Sequence, residues 1–596
     1  MSRPLVETKL LALVGLVLTL FVVLIAAVVP PANGYEASIY EVYPWYFWVS
    51  VVGVFLAGQL AILRSAHGDL EGDRTWLFGL AAMFLVSAIL LLMPYIRGYP
   101  VYGRADVLTH IGFIKNISKQ GFVEPSNIYP STHLLVRILA FATESEPMQV
   151  INIIPAVVSV TYFGSMVLLL SQMFDRRRMF LFGLVFVSVP SLGAPHLLAV
   201  PFTHSMLLVP FVLYLFIREQ RTNTLPVRIA LVTAVISLVI YHPLTTLFLI
   251  AALAIYWVFK RTSRFADEYV GPTSSLSLLV AVFAAWYFTF PGIIFRIESI
   301  LNAFLGEEES TSTLENYSST ISQTQPDLAD ILTLAVYKYG VEALTVALGV
   351  GFVLVAFLLW QRGRFSPNIY MLTFSAVVLT FTVGSVLFFT MDLIVGFGRP
   401  LLMAQILALP LAGAFWYLIW RFSRGVSDIG STAFTGLLVI LLVLFVSLST
   451  FTVYYSPNTS QMNHQVTEME VSGTEWLFEN RNETIAIDEF GISQDRFYDL
   501  HYGTEGERPS IRDEETGPPE HFNYTVNRYA GESYASDSYL MLTKYGRITY
   551  QEKFPDYEEY WAYKPKDYER LEYDPTVSRT YDNGEFNSYL INGTKA

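Results

Sequence analysis

Residues 229–259 read IALVTAVISLVIYHPLTTLFLIAALAIYWVF, an apolar run interrupted chiefly at Tyr241, His242 and Pro243. A bilayer core of roughly 30 Å takes about 20 apolar residues per helix, so the run is either one kinked span or two short ones that turn back at His242. The choice sets the parity of the whole chain. Working outward, apolar segments recur at 9–29, 45–63, 77–96, 150–172, 179–194 and 199–217 before it, and at 275–295, 340–360, 369–390, 401–420 and 433–454 after it. A break at His242 makes thirteen spans; a kink makes twelve. Lys and Arg gather on cytoplasmic loops near span ends. With thirteen spans, one set of alternate segments holds 17 of these residues and the other, longer in total, holds 8. The expected architecture is therefore a polytopic α-helical membrane protein of about thirteen transmembrane helices. Its N-terminus is cytoplasmic, and the odd count puts residues 455–596 outside the cell. Residues 9–29 lack a small-residue cleavage site and are long enough to remain as an anchor.

Composition agrees. Of the 596 residues, 53% are hydrophobic and only 15% charged, with mean hydropathy +0.44, whereas an ordinary soluble domain is about a quarter charged. The average hides two parts. Residues 455–596 hold 27 Asp and Glu against 13 Lys and Arg, while 1–454 hold 24 against 25. The chain thus divides into a near-neutral membrane domain, 1–454, and an acidic, water-soluble domain, 455–596. An acidic tail repels nucleic-acid phosphates and suits a concentrated-salt medium. The absence of cysteine excludes disulfides, Cys-ligated zinc and thiolate nucleophiles. Within the tail, a helix around 474–478, strands at 484–488 and 539–543 and a two-residue hairpin turn at Asn583-Gly584 predict an α/β domain. Its tyrosines and Trp561 are expected in core and surface roles rather than stacked on sugars. Sequons at Asn116, Asn316, Asn458, Asn482, Asn523 and Asn592 all fall on the outer side, compatible with glycosylation there.

Two outer loops, 97–149 and 296–339, are long, and long ordered loops tend to be functional. In the first, Val107, Ile111 and Ile114 recur at helical spacing, which predicts an amphipathic helix against the membrane surface with Asp106 and His110 on one face. A second helix follows Tyr129 and Pro130, with Ser131 or Thr132 as its cap and His133 in its first turn. Five of the six membrane-domain histidines, His110, His133, His196, His204 and His242, map to outer loops or outer span ends. Ionisable groups at membrane depth are costly and usually mark a site. Arg399 stands at the outer mouth of the twelfth span, where a planar guanidinium suits a phosphate at headgroup level. Glu36 and Glu41 lie on the first outer loop, and Tyr337 and Lys338 end the second long one. Taken singly, each has a bland alternative: Asp106 and Arg104 as a solvated pair, His196 and His204 as hydrogen-bonded helix ends, Arg399 as a snorkelling cation. His110 and His133 lack the usual metal-ligand spacing. Gathered at one leaflet, they describe a site for an anionic lipid substrate.

The pattern resembles the GT-C glycosyltransferases, polytopic enzymes that take a sugar from a polyprenyl phosphate. It is most similar to the dolichyl-phosphate-mannose mannosyltransferases that complete haloarchaeal S-layer N-glycans. The resemblance rests on the many spans, the long first loop with an acidic residue near its start, the second long loop, an arginine at a late span mouth and the external C-terminal domain. It implies Asp106 as general base with His110 orienting it, and Glu36 and Glu41 as reserve acids. It further implies Arg399, helped by Arg104, His242 and Lys338, as the lipid-phosphate site, with His133 and Tyr129 at the acceptor or donor. The partners it implies are a dolichyl-phosphate-linked sugar, a glycan or glycoprotein acceptor, and the bilayer. It fixes no cofactor and leaves a divalent metal open. One departure is that a single Asp106 follows the third span where the family often has a paired acidic motif after the first, so an extra helix pair is expected ahead of the core. No WWDYG occurs, which speaks against transfer of whole glycans to Asn. A flippase or transporter for lipid-linked sugars is the alternative from another class, and it calls for ionisable groups at the midplane and inverted repeats. A glycan polymerase or ligase would share the outer-face site.

Overall fold

The computed structural model describes residues 3–67, 74–262, 274–290, 292, 295, 298, 313–391, 396–423, 428–505, 508–510 and 517–594. Arg296, residues 299–312 of the second long loop, and Val395 in the segment before Arg399 lie outside them. Thirteen helices answer the thirteen expected spans: α1 (Arg3–Val28), α2 (Trp45–His67), α3 (Trp76–Leu91), α6 (Pro147–Met173), α7 (Arg177–Val187), α8 (Pro201–Thr222), α9 (Leu225–Tyr241), α10 (Pro243–Thr262), α11 (Ser274–Tyr287), α13 (Leu328–Gln361), α14 (Ile369–Thr390), α15 (Gly398–Ser423) and α16 (Asp428–Phe451). Between them lie the loop helices α4 (Asp106–Gln120), α5 (Ser131–Thr143) and α12 (Thr313–Thr324). Nine helices among the described residues are long and apolar enough to cross a membrane by themselves; α3, α7, α9 and α11 are shorter.

The far end of α10 resolves the choice posed by residues 229–259. Lys260 donates to Gln220 at the end of α8, 3.4 Å away, and α9 starts only three residues after α8 ends. The helices α9 and α10 therefore run antiparallel, with His242, in extended conformation, as the turn between them. A second expectation is corrected. In place of one continuous helix at 179–194, α7 stops at Val187, and a largely buried irregular segment with a single 3-10 turn at Ala194–His196 leads on to α8. Such backbone survives at membrane depth only where protein surrounds and satisfies it, and here Gln405 donates to the Ser191 carbonyl at 2.7 Å. The short α7 also packs unusually close to α15: a Cβ on Gly413 would sit 2.4 Å from the Gly183 Cα, the small-residue contact that lets membrane helices approach. The helix α13 begins at Leu328 rather than near 340. Its 34 residues span about 51 Å at 1.5 Å each, so it projects past the bilayer core, where Asp330 accepts from Tyr557 at 2.8 Å.

The C-terminal domain contributes β2 (Gln465–Val466), α17 (Glu468–Asn480), β3 (Ala486–Phe490), α18 (Gln494–Tyr502), β4 (Ser538–Thr543), α19 (Lys544–Lys553), α20 (Pro565–Leu571), β5 (Val577–Asp582) and β6 (Phe586–Ile591). Its sheet has the order β3-β4-β6-β5, with the first pair parallel and the others antiparallel. Leu540, Leu542, Tyr589 and Ile591 on the sheet pack with Phe522 and Tyr534 in its core. Asn583 donates to the Phe586 carbonyl at 3.2 Å, so the hairpin turn is Gly584-Glu585, one position later than expected, with Gly584 taking the positive φ of 97°. The domain is stitched to the loops at one end of the bundle. Its β2 pairs with β1 (Val101–Tyr102) from the loop after α3, and Glu585 accepts from the Tyr35 N–H at 2.7 Å. The N-terminus lies at the opposite end, where Glu7 pairs with Arg64 at 2.6 Å.

Candidate functional site

The site is built at the bundle end that carries the C-terminal domain. After β1, Gly103 turns the chain (φ 129°) and donates to the His464 carbonyl at 2.8 Å, and α4 starts three residues on. Arg104 fixes that start from below. Its guanidinium lies 2.5 and 3.0 Å from the two oxygens of Glu470, donates to the Gln465 carbonyl at 2.6 Å and sits 4.2 Å over the Tyr545 ring. Neither partner of this pair faces solvent, which corrects two expectations: Arg104 is no solvated partner of Asp106, and it is not placed for a lipid phosphate. Glu36 is likewise enclosed, gripped by Arg97 and accepting from Tyr99. It ties the first loop to the third helix's exit rather than standing as a reserve base. Glu41 is exposed; partial burial, with Glu552 nearby, raises its pKa.

Asp106 occupies the first turn of α4, where the helix dipole favours a carboxylate. Its side chain is 56% exposed and lies 3.0 Å from Arg496 of α18. One turn on, His110 is buried, and its Nδ1 is 3.0 Å from Nε2 of His133, whose own Nδ1 lies within 3.1 Å of the Asn127 amide. The two imidazoles and the amide form a line that can shift between tautomers, so His110 can present either a donor or an acceptor to its surroundings. Burial pushes His110 down to about 4, with Asp106 opposing and Arg496 adding to the shift; burial also lowers His133. Both rings are neutral at pH 7. A histidine free in the unfolded chain protonates near 6.5, so stability is full above about pH 6.5 and declines as pH falls toward 4. Melting curves in detergent at falling pH are expected to show this decline, and His110→Gln is expected to make it shallower.

From His110 a run of rings leads across the bundle end. The Tyr129 ring is 6.4 Å from His110 and 5.4 Å from His242; Phe202, in the first turn of α8, is 5.2 Å from His242; and the Arg399 guanidinium lies 5.3 Å above Phe202. Trp286 holds this run by donating to the Ile128 carbonyl at 3.0 Å. On the far side of Arg399, Phe397 is 5.9 Å from Tyr339, and Lys338 donates to Tyr317 at 2.8 Å. Asp106, His110, His133, Tyr129, His242 and Arg399 thus share one run, or band, of side chains, Lys338, Tyr317 and Tyr339 gather around Phe397, two residues before Arg399, and Arg104, Glu36 and Glu41 stand outside it. His204 and His196 accept or donate locally, to Thr132 at 3.2 Å and Ser159 at 3.0 Å. Phe202 and Arg496 touch the run without any local signal in the sequence, because each is delivered by a distant segment, whereas Asn127 comes from the same loop as Tyr129 and His133. Among the described residues no group of three or more His, Asp or Glu is placed to hold a metal ion; the residues around Asp106 do not fit one. An apolar cleft of about 510 Å³ between α13 and α16 is lined by Leu332, Val336, Tyr337, Leu448 and Phe451, and neither Asp106 nor Lys338 lines it.

Fold and band together define a polytopic α-helical membrane protein whose loop helices and C-terminal α/β domain close over a polar site at one end of the bundle. No family model matches the chain, and no curated protein matches it. Among solved structures it is similar to the oligosaccharyltransferase of Archaeoglobus fulgidus tethered to an acceptor peptide, at 12% identity over 82% of this chain and 72% of that one, TM-score 0.47. It is similar to the mycobacterial arabinofuranosyltransferase AftD, at 14% identity over 88% of this chain and 42% of that one, TM-score 0.45. The likeness to ArnT from Cupriavidus metallidurans bound to undecaprenyl phosphate has 11% identity over 86% and 98%, TM-score 0.43. None of these scores reaches 0.5.

Proposed function

We propose that the chain is a membrane glycosyltransferase of the GT-C type, which moves a single sugar, mannose, from dolichyl phosphate to a glycan acceptor on the outer face of a haloarchaeal cell membrane during N-glycosylation of the S-layer. The single observation that supports it best is the run of side chains that joins Asp106 and His110 to Arg399, with Lys338 near its far end, each part delivered by a separate segment of the chain. A half-exposed carboxylate at one end and cations at the other match the two charge changes of such a transfer. At the first end, the acceptor hydroxyl loses its proton to Asp106 as its oxygen bonds to the anomeric carbon. At the other, the bond from that carbon to the phosphate oxygen breaks, and negative charge develops where Arg399 and Lys338 stand. The departing product is dolichyl phosphate. The line of His110, His133 and Asn127 orients Asp106 from its buried side, and Tyr129 and His242 line the space in which the acceptor oxygen meets the anomeric carbon. The apolar cleft lined by Tyr337, the residue before Lys338, suits an isoprenoid chain. No step calls for a metal.

Deleting the protein and weighing the surface glycans by mass spectrometry tests the reading. Glycans one hexose short, with the lipid-linked hexose accumulating, are the expected result; glycans of unchanged mass would remove it. Arg399→Ala is expected to lower kcat/KM for the donor about tenfold or more, with Arg399→Lys intermediate, measured by transfer of labelled sugar in vesicles.

A further inference from the structure

The C-terminal domain does more than sit over the site. Its helix α18 and the residues just after it lie along α4. Lys115 and Lys119 donate to the His501 and Tyr502 carbonyls, at 3.3 and 3.2 Å, where cations suit the negative end of a helix. Asn116 donates to Thr504 at 2.9 Å. A Cβ on Gly112 would meet the Asp499 backbone carbonyl oxygen at 2.7 Å, so the two helices approach backbone to backbone. Thr109 donates to the fully buried Asp499 at 2.7 Å, and Arg508 holds Asp499 with contacts of 2.9 Å. Arg496 is mounted on this clamp, one turn from Asp499. Its two terminal nitrogens reach Thr109 at 2.9 Å and Asp106 at 3.0 Å.

We infer that Arg496 is a positioning residue: through its two-point bridge to Asp106 and Thr109, the C-terminal domain sets the orientation of the carboxylate and so forms part of the active site. An exposed ion pair contributes little to stability, so stability alone gives no reason for this geometry. Orientation does. A carboxylate on an exposed first turn samples several rotamers, and one oxygen anchored to a clamped guanidinium leaves the group aimed along the band while its surface stays open to an acceptor. The inference rests on Asp106 being the base.

The test uses the full-length protein in vesicles with labelled dolichyl-phosphate sugar as the donor. Arg496→Ala is expected to lower kcat about tenfold or more with KM for the donor nearly unchanged, and added guanidinium ion is expected to restore part of the loss. Arg496→Lys, which keeps one contact, is expected to fall between. Should the alanine variant fail to fold, Arg496→Gln, neutral and of similar length, takes its place; loss of folding in both overturns the inference and makes the residue structural. Unchanged kcat in a folded variant also overturns it, as does a loss that guanidinium and lysine leave untouched. Asp106→Asn, assayed in parallel, separates the two claims. An active Asp106→Asn defeats the catalytic reading itself, whereas an inactive one beside a fully active Arg496→Ala defeats the positioning role alone.

Discussion

Asp106→Asn is expected to lower kcat by about 10² to 10⁴-fold, the usual contribution of a positioned general base, while leaving membrane insertion and the fold intact. The change is nearly isosteric, and the residue is half exposed with one ion-pair partner, Arg496. Little stability is at stake there. The amide cannot accept the acceptor's proton, so donor binding is expected to survive while turnover does not. The measurement is label transfer from a dolichyl-phosphate sugar, paired with donor binding to the same preparation. Full turnover in the variant would remove Asp106 from the chemistry, and lost binding would move it to the donor site.

Glu470→Ala is expected to destabilise the protein most. Arg104 and Glu470 are both enclosed and bonded through two contacts, and leaving one buried charge without its partner costs about 3–5 kcal/mol. The damage is expected to centre on the seam between β1, β2 and the start of α4, and limited proteolysis of the native protein is the readout. Replacing both partners by methionine removes the uncompensated charge, so the double variant is expected to recover much of the loss. Wild-type protease resistance in Glu470→Ala would show that the pair is not what holds the seam.

The bundle was legible because a membrane helix announces itself through twenty apolar residues in a row, and the parity of Lys and Arg chose two helices over one kinked one at His242. Two short stretches escaped that logic. The segment after Val187 is apolar enough to look helical, yet its shape is set by Gln405 and Ser159 on other helices, which no local pattern reveals. The start of α13 was missed because its first turns carry Asp330 and face the C-terminal domain rather than lipid. The candidate site residues divide the same way. The nearness of His110 and His133 follows from spacing within one loop, and Arg399 is singled out by its place at a span mouth. Arg104 misled because its partner Glu470 lies 366 residues away, and a long-range pair cannot be distinguished in sequence from a solvated arginine. Arg496 was invisible for the same reason: it sits in an acidic tail domain, and its relation to Asp106 exists only once α18 is laid along α4.

The most direct measurement follows one sugar through one turnover of the purified protein in vesicles, given dolichyl-phosphate-[³H]mannose and a glycan acceptor. Label appearing in the glycan together with an equal amount of free dolichyl phosphate is the result expected. Folded protein that binds the lipid but leaves the label on it, or carries the intact lipid across the vesicle wall, would contradict glycosyl transfer at this site.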